Sequence, residues 1–152
     1  MLRFPQNMTC ENSTEDVKKA ALDFVQSCRR ILGSKKTRTY ENDLQQLAEH
    51  FNLTPIAFIN KDDHWLLVRT KTEKGIEVYD PLEGLRELEL TSLRKILYFI
   101  EKGKKAKTPE YFLAHDYELP RKRLEELGKL QEKTEVDCGP LCLFAAQFAK
   151  NS

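Results

Sequence analysis

Three short apolar segments follow one another in the middle of the chain, and they constrain the fold more than any other feature. They cover residues 55–59, 65–70 and 76–79, and short polar turns separate them. Strands with such short connections pair antiparallel, because a parallel connection needs about a dozen residues or more. The sequence therefore predicts an antiparallel meander. Its third strand should end at Asp80-Pro81, because proline donates no hydrogen bond to a neighbouring strand.

Helical periodicity lies on both sides of this meander. It predicts helices over residues 16–32, 41–51 and 92–102, a short charged helix over 121–130, and a final apolar helix that begins near Cys138. We expect residues 85–90 to form an exposed link and residues 110–117 to form a fourth strand. The predicted class is α+β, a mainly antiparallel sheet flanked by helices. We expect a single domain over residues 1–152, with a flexible arm at residues 1–14.

Composition and charge exclude several classes of protein. Hydrophobic residues make up 40% of the 152 residues and charged residues 32%, a balance typical of globular domains. The net charge of +1 argues against a strong nucleic-acid interface. No segment approaches the roughly 18 apolar residues of a membrane span. The first residues lack a signal-peptide pattern. We expect a protein of a reducing compartment, which is the cytoplasm for a cellular protein and the host cytosol or nucleus for a viral or effector protein. We also expect a monomer.

Four cysteines, Cys10, Cys28, Cys138 and Cys142, suggest two disulfides, a metal site or a nucleophile. The chain is too long to need disulfides and shows no export signal, which weakens the first interpretation. The three histidines are scattered and complete no zinc site, so we expect no metal and no cofactor. Cys28 and Cys142 lie on apolar helical stripes and are expected to be core residues. Cys138 remains the candidate nucleophile.

The string Asp137-Cys138-Gly139-Pro140 places that cysteine at the start of the final helix. The positive end of a helix dipole favours a thiolate. Gly139 leaves space beside the sulfur for a substrate backbone to approach. Pro140 suits the first helical turn, where a missing N–H costs little. The string is therefore typical of a loop that delivers a reactive cysteine to a helix N-terminus.

His64 begins the second predicted strand and Asp80 ends the third. In an antiparallel hairpin these positions lie at one rim of the sheet, where a carboxylate can orient an imidazole that serves Cys138. Gln131, seven residues before the cysteine, is a candidate oxyanion donor together with the Cys138 N–H. Trp65 is expected to pack in the core or to cover the site. Each of these residues also has an ordinary structural explanation, and their conjunction carries the hypothesis.

In this order along the chain, these residues resemble the adenain and ubiquitin-like-protease superfamily of cysteine peptidases, whose members run His, Asp or Glu, Gln, Cys. The matching strings are His64-Trp65, Val78-Tyr79-Asp80-Pro81-Leu82, Gln131 and Asp137-Cys138-Gly139. The resemblance covers about residues 55–150. It implies a papain-like α+β fold of the adenain type, with the nucleophile at the N-terminus of the last helix. It also implies that His64, Asp80 and Cys138 form a catalytic triad, with Gln131 in the oxyanion hole.

The resemblance further implies a thiol protease that acts through a thioester. The implied partner is a protein substrate with a small-residue tail, such as the Gly-Gly end of ubiquitin or a ubiquitin-like modifier. Trp65 and Gly139 are expected to line a narrow slot for that tail. Three alternatives stay open: viral polyprotein processing, acetyl transfer as in effector acetyltransferases of the same clan, and non-catalytic modifier binding. Acetyl transfer would need a phosphate-binding patch. The basic clusters at 102–107 and 121–123 are candidates for it, and the alternative interpretation is that they are ordinary solvated surfaces.

Overall fold

The computed structural model describes residues 14–33, 40–52, 56–61, 64–73, 75–89, 97–100, 119–131 and 137–150. Over these residues the chain forms an α+β structure with a five-stranded antiparallel sheet, in the order β4-β3-β2-β1-β5. The strands are β1 (Ile56–Lys61), β2 (His64–Lys71), β3 (Gly75–Asp80), β4 (Gly84–Glu89) and β5 (Leu97–Ile100). The helices are α1 (Thr14–Leu32), α2 (Glu41–His50), α3 (Arg121–Leu127) and α4 (Cys138–Lys150).

The first three strands form the predicted meander. The short turns between them leave no room for a crossover, so β1, β2 and β3 pair antiparallel in chain order. The third strand ends at Asp80, as predicted. The four helices also begin within about two residues of their predicted starts. In α1, acidic residues occupy the first turn and Arg29 and Arg30 the last, an arrangement that complements the helix dipole.

The exposed link predicted over residues 85–90 is wrong. Residues Gly84–Glu89 form β4, which pairs with β3 from Gly75↔Glu89 to Asp80↔Gly84. This strand lies at the edge of the sheet, where Leu88 is buried and several charged side chains are exposed. An edge strand needs only one apolar face, and charges on its free side discourage pairing with other chains. Its polar composition therefore concealed it from the sequence analysis.

The helix predicted over residues 92–102 is also wrong for the four residues of that range that the structure describes. Residues Leu97–Ile100 form β5, paired with β1 from Ile56↔Ile100 to Ile59↔Leu97. A short apolar segment fits a helix or a strand equally well by periodicity, and here the free edge of β1 provides backbone partners. The rest of that predicted helix lies outside the described residues. So do the strand predicted over 110–117, the basic cluster at 102–107, and residues 1–13 of the predicted arm.

Helix α4 lies at the centre of the core. It packs against β2 and β3 and contacts all three other helices. Nearly all of its residues are buried, as expected for a helix that is apolar on every side. Its aromatic rings join those of α1, with the Phe24 and Phe144 ring centroids 5.9 Å apart. Because the core surrounds α4, the position of Cys138 at its first residue is firmly determined.

The segment 119–131, which includes α3, is attached to the sheet at two places. The Leu119 N–H donates to the Arg69 carbonyl at 3.1 Å, and the Arg69 side chain donates to the Leu119 carbonyl at 2.9 Å. Farther along, the Tyr79 hydroxyl donates to the Gly128 carbonyl at 2.7 Å. These contacts hold the residues after α3 beside the end of β3.

Arg123 in α3 is buried although it is charged. Its guanidinium donates twice to the Phe148 carbonyl, at 3.2 and 3.0 Å, and lies 3.8 Å from the centroid of the Phe148 ring. It thereby satisfies a carbonyl in the last turn of α4. Arg121 forms ion pairs with two glutamates. The basic run 121–123 is therefore not one exposed cationic patch. Among the helices that the structure describes, none is long and apolar enough to cross a membrane.

Candidate active site

His64 and Asp80 meet at the predicted rim of the sheet. They lie at the start of β2 and the end of β3, and His64 Nε2 is 2.6 Å from Asp80 Oδ1. The Asp80 side chain is only 2% exposed, whereas that of His64 is 24% exposed. The pair therefore has a buried carboxylate end and an imidazole end that reaches the surface.

Three donors hold the Asp80 carboxylate. Oδ1 accepts from His64 and, at 2.9 Å, from the Leu82 N–H, while Oδ2 forms an ion pair with Arg86 Nη2 at 3.2 Å. Burial alone would raise the pKa of Asp80, but the hydrogen bonds from His64 and Leu82 and the nearby positive charges outweigh it and lower that pKa. Asp80 is therefore ionised at neutral pH, and its orientation is fixed from both sides.

The Cys138 side chain is the second group that acts on the His64 imidazole, after Asp80. Because Asp80 engages Nε2, Nδ1 is the ring nitrogen that remains for the sulfur. The hydrogen bonds with Asp80 and then with Cys138 raise the pKa of His64 to about 9, while its partial burial acts in the opposite direction. His64 therefore carries a proton at neutral pH.

The N-terminus of α4 presents Cys138 to this imidazole. Cys138 is the first helical residue, as predicted, and is 6% exposed. The first hydrogen bond within the helix runs from the Leu141 N–H to the Asp137 carbonyl at 3.0 Å. The N–H groups of Cys138 and Gly139 precede that bond and form the positive end of the helix dipole. Gly139 is buried in this first turn, beside the nucleophile.

The Trp65 backbone is a part of the site that the sequence analysis missed. Its N–H donates to Cys138 Sγ at 3.4 Å, and its carbonyl accepts from the Cys142 thiol at 3.3 Å. No sequence signal could have revealed these contacts, because backbone groups are the same in every residue. The Trp65 side chain is 2% exposed and packs in the core. Its suggested place in a substrate slot stays a prediction.

Gln131 lies beside the turn that follows Asp80. Its backbone N–H and that of Leu130 both donate to the Pro81 carbonyl at 2.9 Å. The residue is 9% exposed. These bonds bring the segment after α3 to the same rim as His64 and Asp80. The role of the Gln131 side chain as an oxyanion donor stays a prediction.

The other described cysteines differ from Cys138 in their surroundings. Cys28 and Cys142 are fully buried, as predicted. Like Cys138, both are free thiols. Burial raises the pKa of Cys28 to about 12 and also raises that of Cys142. A buried neutral thiol is unreactive. Over the described ranges no group of three His, Cys, Asp or Glu side chains is arranged to hold a metal ion.

Comparison with protein-family models, curated proteins and solved structures finds no match to this chain. The chemistry of the site therefore rests on its own geometry. A thiol at a helix N-terminus, an imidazole in contact with it and a carboxylate that orients the imidazole are the parts of a nucleophilic acyl-transfer site.

Proposed function

We propose that this protein is a cysteine peptidase in which Cys138 is the nucleophile, His64 the acid and base, and Asp80 the orienting carboxylate. The observation that carries this proposal is the meeting of three groups at one rim: Asp80 Oδ1 lies 2.6 Å from His64 Nε2, and the His64 imidazole interacts with Cys138 at the start of α4. A buried carboxylate with an imidazole is a poor way to stabilise a core, because apolar residues of similar volume would do so at least as well. Such a group at a partly exposed rim is typical of a functional site.

The proposed reaction begins when the Cys138 thiolate attacks the carbonyl carbon of the scissile amide and forms a C–S bond. The Cys138 N–H and the Gln131 side-chain amide stabilise the negative charge on the oxygen. His64 then gives its proton to the amine nitrogen, the C–N bond breaks and the amine leaves. Water attacks the resulting thioester while His64 accepts a proton from it. The acid product leaves, and Cys138 is again a thiolate beside protonated His64.

Asp80 determines which ring nitrogen does this chemistry. Its Oδ1 accepts a hydrogen bond from Nε2 of His64, which leaves Nδ1 as the ring nitrogen that exchanges a proton with the substrate. The Leu82 N–H and Arg86 keep the carboxylate ionised and pointed at the ring. The imidazole therefore needs no rotation between the two steps.

We propose a protein substrate that ends in small residues, such as the Gly-Gly tail of ubiquitin or of a ubiquitin-like modifier. The slight exposure of Cys138, 6%, supports this choice, because only a slender backbone without bulky side chains can reach such a recessed sulfur. Gly139 supports it too, since it adds no side chain next to the nucleophile. The narrow approach thus favours a tail over a broad loop.

Cleavage of modifiers that carry a fluorogenic amide at their C-terminus tests the proposal. We expect Cys138→Ala to abolish turnover and His64→Gln to lower kcat/KM by about 100-fold or more, because general acid–base catalysis contributes about that factor. Cys28→Ala is the matched control, since Cys28 is a buried thiol in α1 that the proposed mechanism does not use, and it should retain activity. Turnover that survives Cys138→Ala would refute the nucleophile.

Alkylation provides a second measurement that does not depend on finding the substrate. At about pH 6 an ordinary thiol, with a pKa of about 8.5, is nearly all protonated and reacts slowly with iodoacetamide. We expect mass spectrometry to find Cys138 labelled much faster than Cys28 or Cys142, and labelled more slowly in His64→Gln. Equal labelling of Cys138 in the two proteins would mean that His64 does not activate it.

A further inference from the structure

Arg29, in the last turn of α1, holds the residue that directly precedes the proposed nucleophile. Its Nη2 lies 2.6 Å from each oxygen of the Asp137 carboxylate, and its Nε lies 3.2 Å from Oδ1. Asp137 is buried, with a side chain 10% exposed, whereas the Arg29 side chain is 50% exposed. No pattern in the sequence links Arg29 with Asp137, because the two residues are 108 positions apart.

Asp137 has an important position for the chemistry of Cys138. Its carbonyl accepts the first hydrogen bond of α4 from the Leu141 N–H, which makes Asp137 the N-cap residue of the nucleophile's helix. A carboxylate at this position suits the helix dipole. However, it also sets a negative charge on the residue that adjoins the nucleophile in sequence, and like charges disfavour ionisation.

The Asp137 carboxylate also acts on a second thiol, that of Cys28. Burial, and after it the negative charge of Asp137, raise the pKa of Cys28 to about 12. The guanidinium of Arg29 is the positive charge that faces the same carboxylate, and its two-pronged contact neutralises the carboxylate at close range. Among the described residues, His64 and Cys142 are titratable groups that interact with the Cys138 side chain.

We propose that Arg29 is a positioning residue for Cys138: it fixes Asp137 as the N-cap of α4 and cancels the charge that would oppose the thiolate. This inference rests on the proposed function, in which Cys138 acts as a thiolate. It makes α1 part of the active site, although α1 carries none of the proposed catalytic residues. The core contact of Phe24 with Phe144 keeps α1 beside α4, so the guanidinium and the carboxylate remain in reach of each other.

The test measures iodoacetamide alkylation of Cys138 as a function of pH in the full chain. In Arg29→Ala we expect alkylation at about pH 6 to slow by about threefold or more, because the carboxylate of the residue before the nucleophile is left uncompensated. The effect is moderate because Arg29 is half exposed and solvent screens its charge. The double variant Arg29→Ala with Asp137→Asn removes both charges and should recover a rate within about twofold of the unchanged protein.

Two further variants separate this role from a general effect on folding. Arg29→Lys keeps the charge but not the two-pronged contact, and should stay closer to the unchanged protein than Arg29→Ala does. Arg30→Ala removes an arginine from the same helical turn that donates to the Ser27 hydroxyl, and its pH profile should not change. Circular dichroism of each variant verifies that it is folded at the assay temperature.

An Arg29→Ala profile identical to that of Arg30→Ala would overturn the inference. So would a double variant that reacts as slowly as Arg29→Ala, because the carboxylate charge would then not be the cause. Failure of the proposed function has a different signature: Cys138 would react no faster than an ordinary thiol in the unchanged protein. In that case the comparison between Arg29→Ala and the double variant still measures the effect of the carboxylate.

Discussion

Asp80 uses its two oxygen atoms for three contacts, and these contacts determine what the neighbouring imidazole can do. Oδ1 accepts from His64 and from the Leu82 N–H, and Oδ2 faces Arg86. The side chain is buried, so no water needs to complete its coordination. Burial of a carboxylate is unfavourable unless such partners exist. At the scale of single residues, the site is therefore a set of mutually dependent contacts.

Asp80→Asn should lower the pKa of His64 from about 9 toward 6.5, because the hydrogen bond with Asp80 is the largest cause of the raised value. NMR titration of labelled histidine rings measures it, with the His64 signal assigned by its absence in His64→Gln. Arg86→Ala is the matched control: it removes one partner of the same carboxylate but also a positive charge, so the pKa of His64 should not fall. A value still near 9 in Asp80→Asn would contradict the assignment.

Helix α4 and the sheet carry the site, and each is held by a different kind of contact. Helix α4 is fixed by burial on all sides, whereas β3 and β4 are fixed by backbone pairing and by close approach at Gly75. A Cβ at Gly75 would collide with the Leu88 carbonyl on β4. Only glycine allows the two strands to pair at this distance. Since β4 also carries Arg86 to Asp80, strand pairing and site geometry are linked.

Gly75→Ala should therefore lower the free energy of unfolding by about 1–3 kcal/mol or more, the usual range for overpacking, because a backbone carbonyl cannot move aside as a flexible side chain can. Urea denaturation monitored by Trp65 fluorescence measures the change. Glu73→Ala, in the same turn and exposed, is the control and should change the free energy by less than about 0.5 kcal/mol. Equal stability of the two variants would mean that β3 and β4 can move apart enough to accommodate the added methyl group.

For the molecule as a whole, the raised pKa of His64 makes stability depend on pH in a defined direction. Unfolded His64 loses its proton near pH 6.5, whereas folded His64 keeps it up to about pH 9. Between these values the folded state binds more protons, so stability falls as pH rises. The contribution of His64 is complete below about pH 6.5 and is lost by about pH 9. Asp80, with its lowered pKa, loses its contribution at the acid end, below pH 3.8.

We expect the difference in unfolding free energy between the unchanged protein and His64→Gln to shrink steadily from about pH 6 to pH 8.5. Urea titrations of both proteins at several pH values, with a reducing agent present, measure this difference. The comparison removes contributions that the two proteins share. One of these is the destabilisation at still higher pH from Cys28, whose burial raises its pKa to about 12. A difference that is constant across this range would mean that His64 is not protonated in the folded protein.

The amino-acid sequence by itself determined the features that depend on local order along the chain. Short turns between apolar segments made the meander antiparallel, and this pairing alone placed His64 beside Asp80. The change from a polar loop to an apolar helix determined that Cys138 begins α4. Fold class, strand order in the meander and the starts of the helices were predictable for the same reason: neighbours in the sequence dictate them.

Only the tertiary structure decided the contacts between distant segments. Residues 97–100 became a strand because β1 offered a free edge, and the polar residues 84–89 became one because β3 offered the other. The Trp65 backbone reached Cys138, and Arg29 reached Asp137, through the packing of α1, β2 and α4. Local propensity does not encode such contacts, because they arise only when the buried surfaces of separate elements come together.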